Sequence, residues 1–207
     1  MKENNLYEQN TGAVLSFFQK EYKHIEPEYY RPLISAELGG DFLLDSVVLY
    51  KTKEIIEFVT LGFSDVAEKE IENGEYSGYG FELAVKLNIK DMNEDNISKE
   101  CNNICSIFNN LAGYVFESGK VFKENQYIYT GQTQGIDAEC KSALTGFVIT
   151  AHKAGTVDTV NGKVKILQLT GMTDNELKAV IDKKIEVYKL LDMIKTDITD
   201  YSRKSVI

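Results

Sequence analysis

Residue types that often identify a function are scarce in this sequence. Its 207 residues include two prolines, two histidines, two arginines and three cysteines. Both prolines, Pro27 and Pro32, lie near the N-terminus, and no Pro-, Gly- or Ser-rich linker divides the remaining chain, so we expect one domain. The cysteines, Cys101, Cys105 and Cys140, are odd in number and lack the spacing of a disulfide framework, which indicates a reducing compartment.

Positive charge and long apolar runs are scarce as well. The net charge is -9, and the chain has no stripe of Lys and Arg that could follow a phosphate backbone, which argues against direct nucleic-acid binding. The opening "MKENNLYEQN" lacks the apolar core of a signal peptide, and no run approaches the roughly 18 apolar residues of a membrane span. We therefore expect a cytoplasmic protein without membrane contact. Its acidic surface mainly favours solubility and can also speed association with a basic protein.

The apolar pattern alternates between helical and strand periods. Apolar residues at helical spacing predict helices over residues 11–22, 95–119 and 173–193. Period-two or β-branched runs predict strands at "SVVLYKT", "IIEFVTLGF", residues 79–87, "LTGFVITA" and "KVKILQLTG". Strands grouped between helices predict an α+β fold, with a mixed, mostly antiparallel sheet packed against helices.

Several local signals predict where these elements begin and end. Ser98 is a candidate N-cap for the second helix, and Gly119 a candidate stop. The pattern Thr-x-x-Glu at Thr173 predicts a capping box that opens the third helix. Asn161-Gly162, between two strand-like runs, predicts a hairpin.

Two glycines, Gly78 and Gly80, stand at the start of the strand "YSGYGFELAVKL". A dinucleotide-binding loop places its glycines between a strand and a helix, whereas these precede a strand, so we expect a bulge or a close backbone approach and no cofactor. Glu82 is a charged residue flanked by apolar ones in this strand. It either faces solvent or pairs with a cation, because a buried unpaired carboxylate is too costly; a catalytic acid also fits, but no second carboxylate supports one.

Two groups resemble metal sites without completing one. Cys101 and Cys105 lie four residues apart on a helix, but a closed zinc site needs two further ligands, so core packing is the better explanation. Asp91, Asn93 and Asp95 alternate as in a calcium loop, but the glycine and the bidentate glutamate of that loop are missing, and a helix-capping turn explains them. We therefore expect no bound metal.

His152 is the one plausible catalytic base, with Asp158 six residues further on. Nucleophilic catalysis would need a Ser or Cys beside it, and no Gly-x-Ser-x-Gly elbow occurs. We expect a loop histidine without a catalytic role and no enzyme. A hydrolase that uses His152 remains an alternative.

Five stretches carry a resemblance to a known family. These are "FVTLGFSD", "SGYGFELAVKL", "LAGYVFESGKVF", "ILQLTGMTDNEL" and the closing "ITDYSRKSV". In this order and spacing they resemble the suppressor-of-fused domain family, in particular its bacterial single-domain members. The resemblance implies an α/β sandwich in which residues 1–207 form one domain. Residues 1–35 would hold an N-terminal helix and a Pro-containing connector, and residues 40–207 the family-like region.

The resemblance also implies protein binding without catalysis. Bacterial single-domain relatives are associated with polymorphic toxin systems, as cytosolic immunity proteins that neutralise a cognate toxin. We therefore expect the partner to be another protein, for example a basic nuclease toxin domain. A regulatory scaffold that adds an extended peptide to a sheet edge is the alternative.

Four residues are candidates for specific roles under this resemblance. Phe58 and Asp65, in the stretch that matches the peptide-binding side of the animal protein, are candidate partner contacts; the alternative is that Phe58 is core and Asp65 caps a turn. Arg203, in the closing motif, has the fork geometry that suits a carboxylate. We predict that it pairs with an acidic residue of the sheet or its flank, with Glu82 the leading candidate.

Overall fold

A mixed β-sheet forms the centre of the computed structural model, which describes residues 2–34, 36–65 and 75–207. Within these residues, the eight strands are β1 (Glu28–Tyr30), β2 (Ser46–Lys51), β3 (Ile55–Leu61), β4 (Tyr76–Asn88), β5 (Tyr127–Tyr129), β6 (Leu144–Thr159), β7 (Gly162–Thr173) and β8 (Ile198–Thr199). The helices are α1 (Lys2–Glu21), α2 (Glu94–Ser118), α3 (Asp174–Ile181) and α4 (Val187–Ile194), with a short 3-10 helix at Ala36–Leu38. The predicted α+β class is confirmed.

The sheet is antiparallel except at its centre. Its order is β1-β2-β3-β4-β7-β6-β5, and β4 pairs in parallel with β7. The short strand β8 also pairs in parallel with β4, beyond the point where the pairing with β7 ends. Leu87 of β4 therefore lies between Ile56 of β3 and Thr199 of β8.

Strand β4 divides the core between the two faces of the sheet. Its alternate residues Leu83, Val85 and Leu87 are buried in the apolar cluster beneath α2, whereas Ala84 belongs to the cluster beneath α1. This alternation follows from the two-residue period of a strand, and each fully buried Leu or Val stabilises the fold by about 1.5–3 kcal/mol. The strand predicted for residues 79–87 is confirmed.

The face opposite α2 is covered in two parts. Phe18 of α1 packs with Tyr50 of β2, and their ring centroids are 5.8 Å apart. The other half of this face is covered by α3 and α4, whose Leu177 and Leu190 pack with Met172 of β7. Helices therefore lie on both faces of the sheet.

Helix α2 begins earlier than the predicted cap at Ser98. Its N-cap is Asn93, whose side-chain oxygen accepts a hydrogen bond of 2.8 Å from the backbone N–H of Asn96. Ser98 lies inside the helix because the preceding residues already carry this cap. The predicted stop at Gly119 is correct: Gly119 has φ +68°, and its N–H donates to the carbonyl of Val115.

The third predicted helix is two helices. The capping box is present: Thr173 accepts from the N–H of Glu176, and the Glu176 carboxylate accepts from the N–H of Thr173. The helix ends at Ile181, however, and Lys183 has a left-handed backbone with φ +57°. The turn re-aims the chain, so that Leu190 of α4 as well as Leu177 of α3 becomes buried.

The hairpin between β6 and β7 lies one residue before the predicted Asn-Gly turn. Thr159 pairs with Gly162, so the turn residues are Val160 and Asn161, and Gly162 begins β7 with φ +128°. Strand β6 runs from Leu144 to Thr159 and is twice as long as the predicted strand "LTGFVITA". His152 therefore lies in a strand and not in a loop.

Candidate functional site

Glu82 is a buried carboxylate that organises the end of β3. Its side chain is fully buried and accepts from the Thr60 hydroxyl at 2.6 Å and from the N–H of Gly62 at 3.1 Å. The N–H and the hydroxyl of Ser64 donate to it at 2.9 and 2.6 Å. Burial raises the pKa of Glu82 to about 7, although these hydrogen bonds act in the opposite direction. The carboxylate thus holds the turn over residues 62–64, without a cation among its described partners.

The paired glycines lie where β4 crosses this turn. A Cβ at Gly78 would be 2.6 Å from the carbonyl carbon of Ser64, and a Cβ at Gly80 would be 3.0 Å from the side-chain Cβ of Tyr76. Both glycines have positive φ, at +53° and +82°, a conformation that favours glycine. The pairing of β4 with β7 shifts register between Tyr76 and Phe81. One glycine therefore admits a neighbouring backbone and the other an aromatic side chain.

An aromatic groove of about 440 Å³ opens beside the glycine pair; it is lined by Tyr76, Tyr79, Phe122, Lys123 and Lys165, among others. Lys165 lies over the Tyr76 ring, with its Nζ 5.4 Å from the ring centroid. Phe122 packs edge-on against Phe81 at 6.0 Å. A second cavity, of about 730 Å³, shares Phe122 and Lys123 with it. The groove combines aromatic walls with lysines, a combination that suits a segment of another protein.

A smaller cleft lies at the β1 edge of the sheet. This edge cleft has a volume of about 240 Å³ and an apolar floor that includes Leu49, Ile97 and Cys101. Glu28 of β1 and Glu94 of α2 also line it. Among its lining residues, Lys51 pairs with Glu94 at 2.7 Å. An apolar floor beside carboxylates can accept a long side chain that ends in a cation.

The chain that follows β1 exposes several large apolar side chains. Leu33 is 104% exposed, Leu38 81% and Ile34 56%. The end of this segment is held against α2 by the side chain of Asn109. That side chain accepts from the Leu43 N–H at 2.6 Å and donates to the Asp41 carbonyl at 2.9 Å. Clustered exposed apolar side chains on a surface are typical of interaction sites.

The sequence did not predict a strand at this edge, because the residues around Pro27 and Pro32 were assigned to a Pro-containing connector. A possible signal was the run "EYY" between Pro27 and Pro32, since prolines commonly flank edge strands.

His152 is enclosed between the sheet and α1. Its side chain is fully buried, and its Nε2 is 2.7 Å from Oε1 of Glu57. The N–H of Ala154 donates to Nδ1 at 3.0 Å, so Nε2 carries the proton and donates to Glu57. Tyr22, directly after α1, donates to the other oxygen of Glu57, and the ring of Phe18 in α1 lies 5.4 Å from the imidazole. This network ties α1 to the sheet.

Arg203 binds a carboxylate other than Glu82. Its two terminal nitrogens donate to the two oxygens of Glu176 at 2.6 and 2.7 Å. Glu176 also accepts from the N–H of Val206 at 3.0 Å, in addition to its capping-box bond. Burial would raise the pKa of Glu176, but the hydrogen bonds from Arg203 and the backbone outweigh it and lower that pKa. The proposed Glu82–Arg203 pair is therefore wrong, since hydroxyl and backbone donors already surround Glu82, although Arg203 does pair with a carboxylate that flanks the sheet.

The two predicted partner contacts lie in different environments. Phe58 is fully buried in the cluster beneath α2, so a partner does not reach it in this conformation. Asp65 is half-buried and accepts a hydrogen bond of 3.1 Å from the hydroxyl of Thr11 in α1. A role of Asp65 in partner binding stays a prediction.

Residues 2–34, 36–65 and 75–207 contain no group of three His, Cys, Asp or Glu side chains placed to hold a metal ion. Cys105 lies in the core, where burial raises its pKa to about 12. In the same described part of the chain, no helix is long and apolar enough to cross a membrane.

Comparisons with known proteins agree with this fold. The family model described as Suppressor of fused protein (SUFU) matches residues 44–204. A chain in a crystal structure of the Sufu-Fu complex superimposes with a TM-score of 0.79 at 19% identity, over 95% of this chain and 91% of that one. Drosophila Suppressor of Fused gives a TM-score of 0.77 at 19% identity, and the match covers 95% of this chain but 50% of the Drosophila chain. No curated protein sequence matches.

Proposed function

Because the chain belongs to the Suppressor of fused protein (SUFU) family, we propose that it is a non-catalytic protein-binding domain, and specifically an immunity protein that neutralises a cognate toxin. A chain of similar fold occurs in the Sufu-Fu complex, which supports binding to another protein. The observation that carries the proposal is the group of exposed apolar side chains after β1, led by Leu33 and Leu38. The net charge of -9 favours a basic partner such as a nuclease toxin domain.

The test is rescue of cells that express a toxin domain encoded beside this gene. Wild-type protein should restore growth, and Leu33→Glu should restore it less because a charge enters the apolar contact. Val160→Glu is the matched control: Val160 is also an exposed apolar residue, 55% accessible, but it lies in the β6–β7 turn. If no neighbouring toxin exists, or wild-type protein protects against none, the immunity function is refuted.

A regulatory scaffold that binds an extended peptide is the second candidate. The aromatic groove favours it, because Tyr76 and Phe122 offer flat apolar contacts beside Lys165. Under this function, a non-toxin partner would bind and its peptide would lose affinity on Phe122→Ala. Loss of toxin rescue on Leu33→Glu with unchanged rescue on Phe122→Ala would instead favour the immunity function.

We propose no catalytic role for His152. Its two ring nitrogens are occupied by Glu57 and by the Ala154 N–H, and its side chain is fully buried. A general base must reach the proton of a bound substrate, and a buried strand position between the sheet and α1 does not offer that reach. Hydrolysis of a substrate by wild-type protein that is lost in His152→Gln would overturn this view.

A further inference from the structure

We infer that the outer edge of β1 binds an extended segment of a basic partner, with a Lys or Arg side chain of that segment in the edge cleft. The inference rests on the proposed function and adds the partner's chemistry and the place where it docks. It depends on the backbone of β1, the shape of the cleft and the charges around it.

The first observation is the unpaired side of β1. In the described sheet β1 is the terminal strand, and it pairs only with β2, at Glu28–Leu49, Tyr29–Val48 and Tyr30–Val47. An antiparallel edge strand directs the N–H and C=O groups of alternate residues away from its neighbour, where a further strand can bind them. Pro27 and Pro32 limit this edge to a few residues, so side chains must supply much of the specificity.

The second observation is the position of the cleft relative to that edge. Glu28 is directly opposite Leu49, so both side chains are on the α2 face of the sheet, where the cleft lies. A strand added outside β1 would direct alternate side chains to this same face. Leu49, Ile97 and Cys101 would contact the methylene groups of a long side chain.

The third observation is the charge at the cleft. The side chain of Glu28 makes no ion pair or hydrogen bond within the described part of the chain, and Glu28 is exposed. Glu94 binds Lys51 through one oxygen, Oε2. The charged residues that line the cleft are therefore two carboxylates and the one ammonium of Lys51, and a cation would meet the Glu28 carboxylate and the second oxygen of Glu94. The complementary ligand is basic.

The test uses two blocked pentapeptides, Val-Lys-Val-Lys-Val and Val-Glu-Val-Glu-Val, titrated into labelled full-length protein and followed by backbone amide NMR. The lysine peptide should give saturable shifts at Glu28–Tyr30 and in the first turns of α2, and the glutamate peptide should bind at least fivefold more weakly. Glu28→Gln should lower the affinity for the lysine peptide by about 2- to 5-fold, as expected for the loss of one exposed ion pair. Ser98→Phe, which fills the cleft without a change of charge, should abolish binding.

Glu117→Gln is the matched control, because it removes the same charge from an exposed position of α2, about 35 Å along the helix from Glu94. It should leave the affinity unchanged. No saturable binding, equal effects of Glu28→Gln and Glu117→Gln, equal affinity for both peptides, or shifts confined to β5 would each overturn the inference. Toxin rescue by wild-type protein would still stand in those cases, so failure here is distinguishable from failure of the proposed function.

Discussion

The ion pair between Arg203 and Glu176 gives the sharpest prediction on stability. Arg203→Met keeps an unbranched apolar stem and removes both donors to Glu176, whose side chain is fully buried while that of Arg203 is 12% exposed. Breaking a buried pair from one side costs about 3–5 kcal/mol. The backbone N–H groups of Thr173 and Val206 still bind the carboxylate. We therefore expect Arg203→Met to lower the free energy of unfolding by about 3 kcal/mol, the lower end of this range.

The assay is urea denaturation at neutral pH, with thermal unfolding as a second measurement. A loss of about 3 kcal/mol should lower Tm by roughly 6–12 °C in a protein of this size. Lys178→Met is the control, because it removes a cation from the same region whose pair with Asp174 is exposed, at 59% and 36%. It should cost less than about 0.5 kcal/mol.

The same pair predicts a pH dependence. The folded-state pKa of Glu176 lies below the ordinary carboxyl value of 4.5. Its stabilising contribution is therefore present above that value and is lost as pH falls through the folded pKa. The gap between wild type and Arg203→Met should narrow in acid. A loss for Arg203→Met no larger than that of Lys178→Met, or a gap that stays constant as pH falls below 4.5, would refute the reasoning.

Three further predictions concern the glycine pair and the buried carboxylates. Gly78→Ala should lower the free energy of unfolding, measured in urea, by about 1–3 kcal/mol more than Gly119→Ala, because a Cβ at Gly78 meets backbone and one at Gly119 meets nothing within 4 Å; equal losses would contradict this. The pKa of Glu82 is raised to about 7, so stability should fall as pH rises from about 4.5 to 7. Thermal unfolding of Glu82→Gln should lack that slope, and a slope equal to wild type would reject the assignment. His152→Leu removes a donor from buried Glu57 and should cost about 1–3 kcal/mol in urea; a neutral substitution would show that the network contributes little.

The alternation of β4 was predictable, because a strand buried on both faces still separates its large and small residues between two helix layers. The glycine pair was predicted as a close approach, but the neighbours, Ser64 and Tyr76, could not be named. Ser64 reaches Gly78 because the turn that follows β3 crosses β4 there, and Tyr76 approaches Gly80 where the register of β4 with β7 shifts. Neither feature is visible in the local sequence pattern.

The partner of Arg203 could not be predicted for a related reason. Glu176 was recognisable as the N3 residue of a capping box. This role already accounts for a carboxylate at that position, so nothing in the local sequence indicated a second partner. Its second role depends on the closing segment reaching the same place, 27 residues later. Glu82 was expected either to face solvent or to pair with a cation, because the hydroxyls and amides that surround it come from residues 60–64, about 20 positions earlier in the chain.

The placement of β8 has a consequence for synthesis on the ribosome. The pair β4–β7 joins residues more than 80 positions apart, and β8 reaches β4 only at residues 198–199. While the chain emerges, the β2–β3–β4 meander can already form. The edge of β4 that later pairs with β7 stays unpaired until residues 163–169 have been synthesised. Such long-range pairing slows folding. A chaperone that binds nascent strands should therefore increase the yield of folded protein more than substitutions that raise helix propensity.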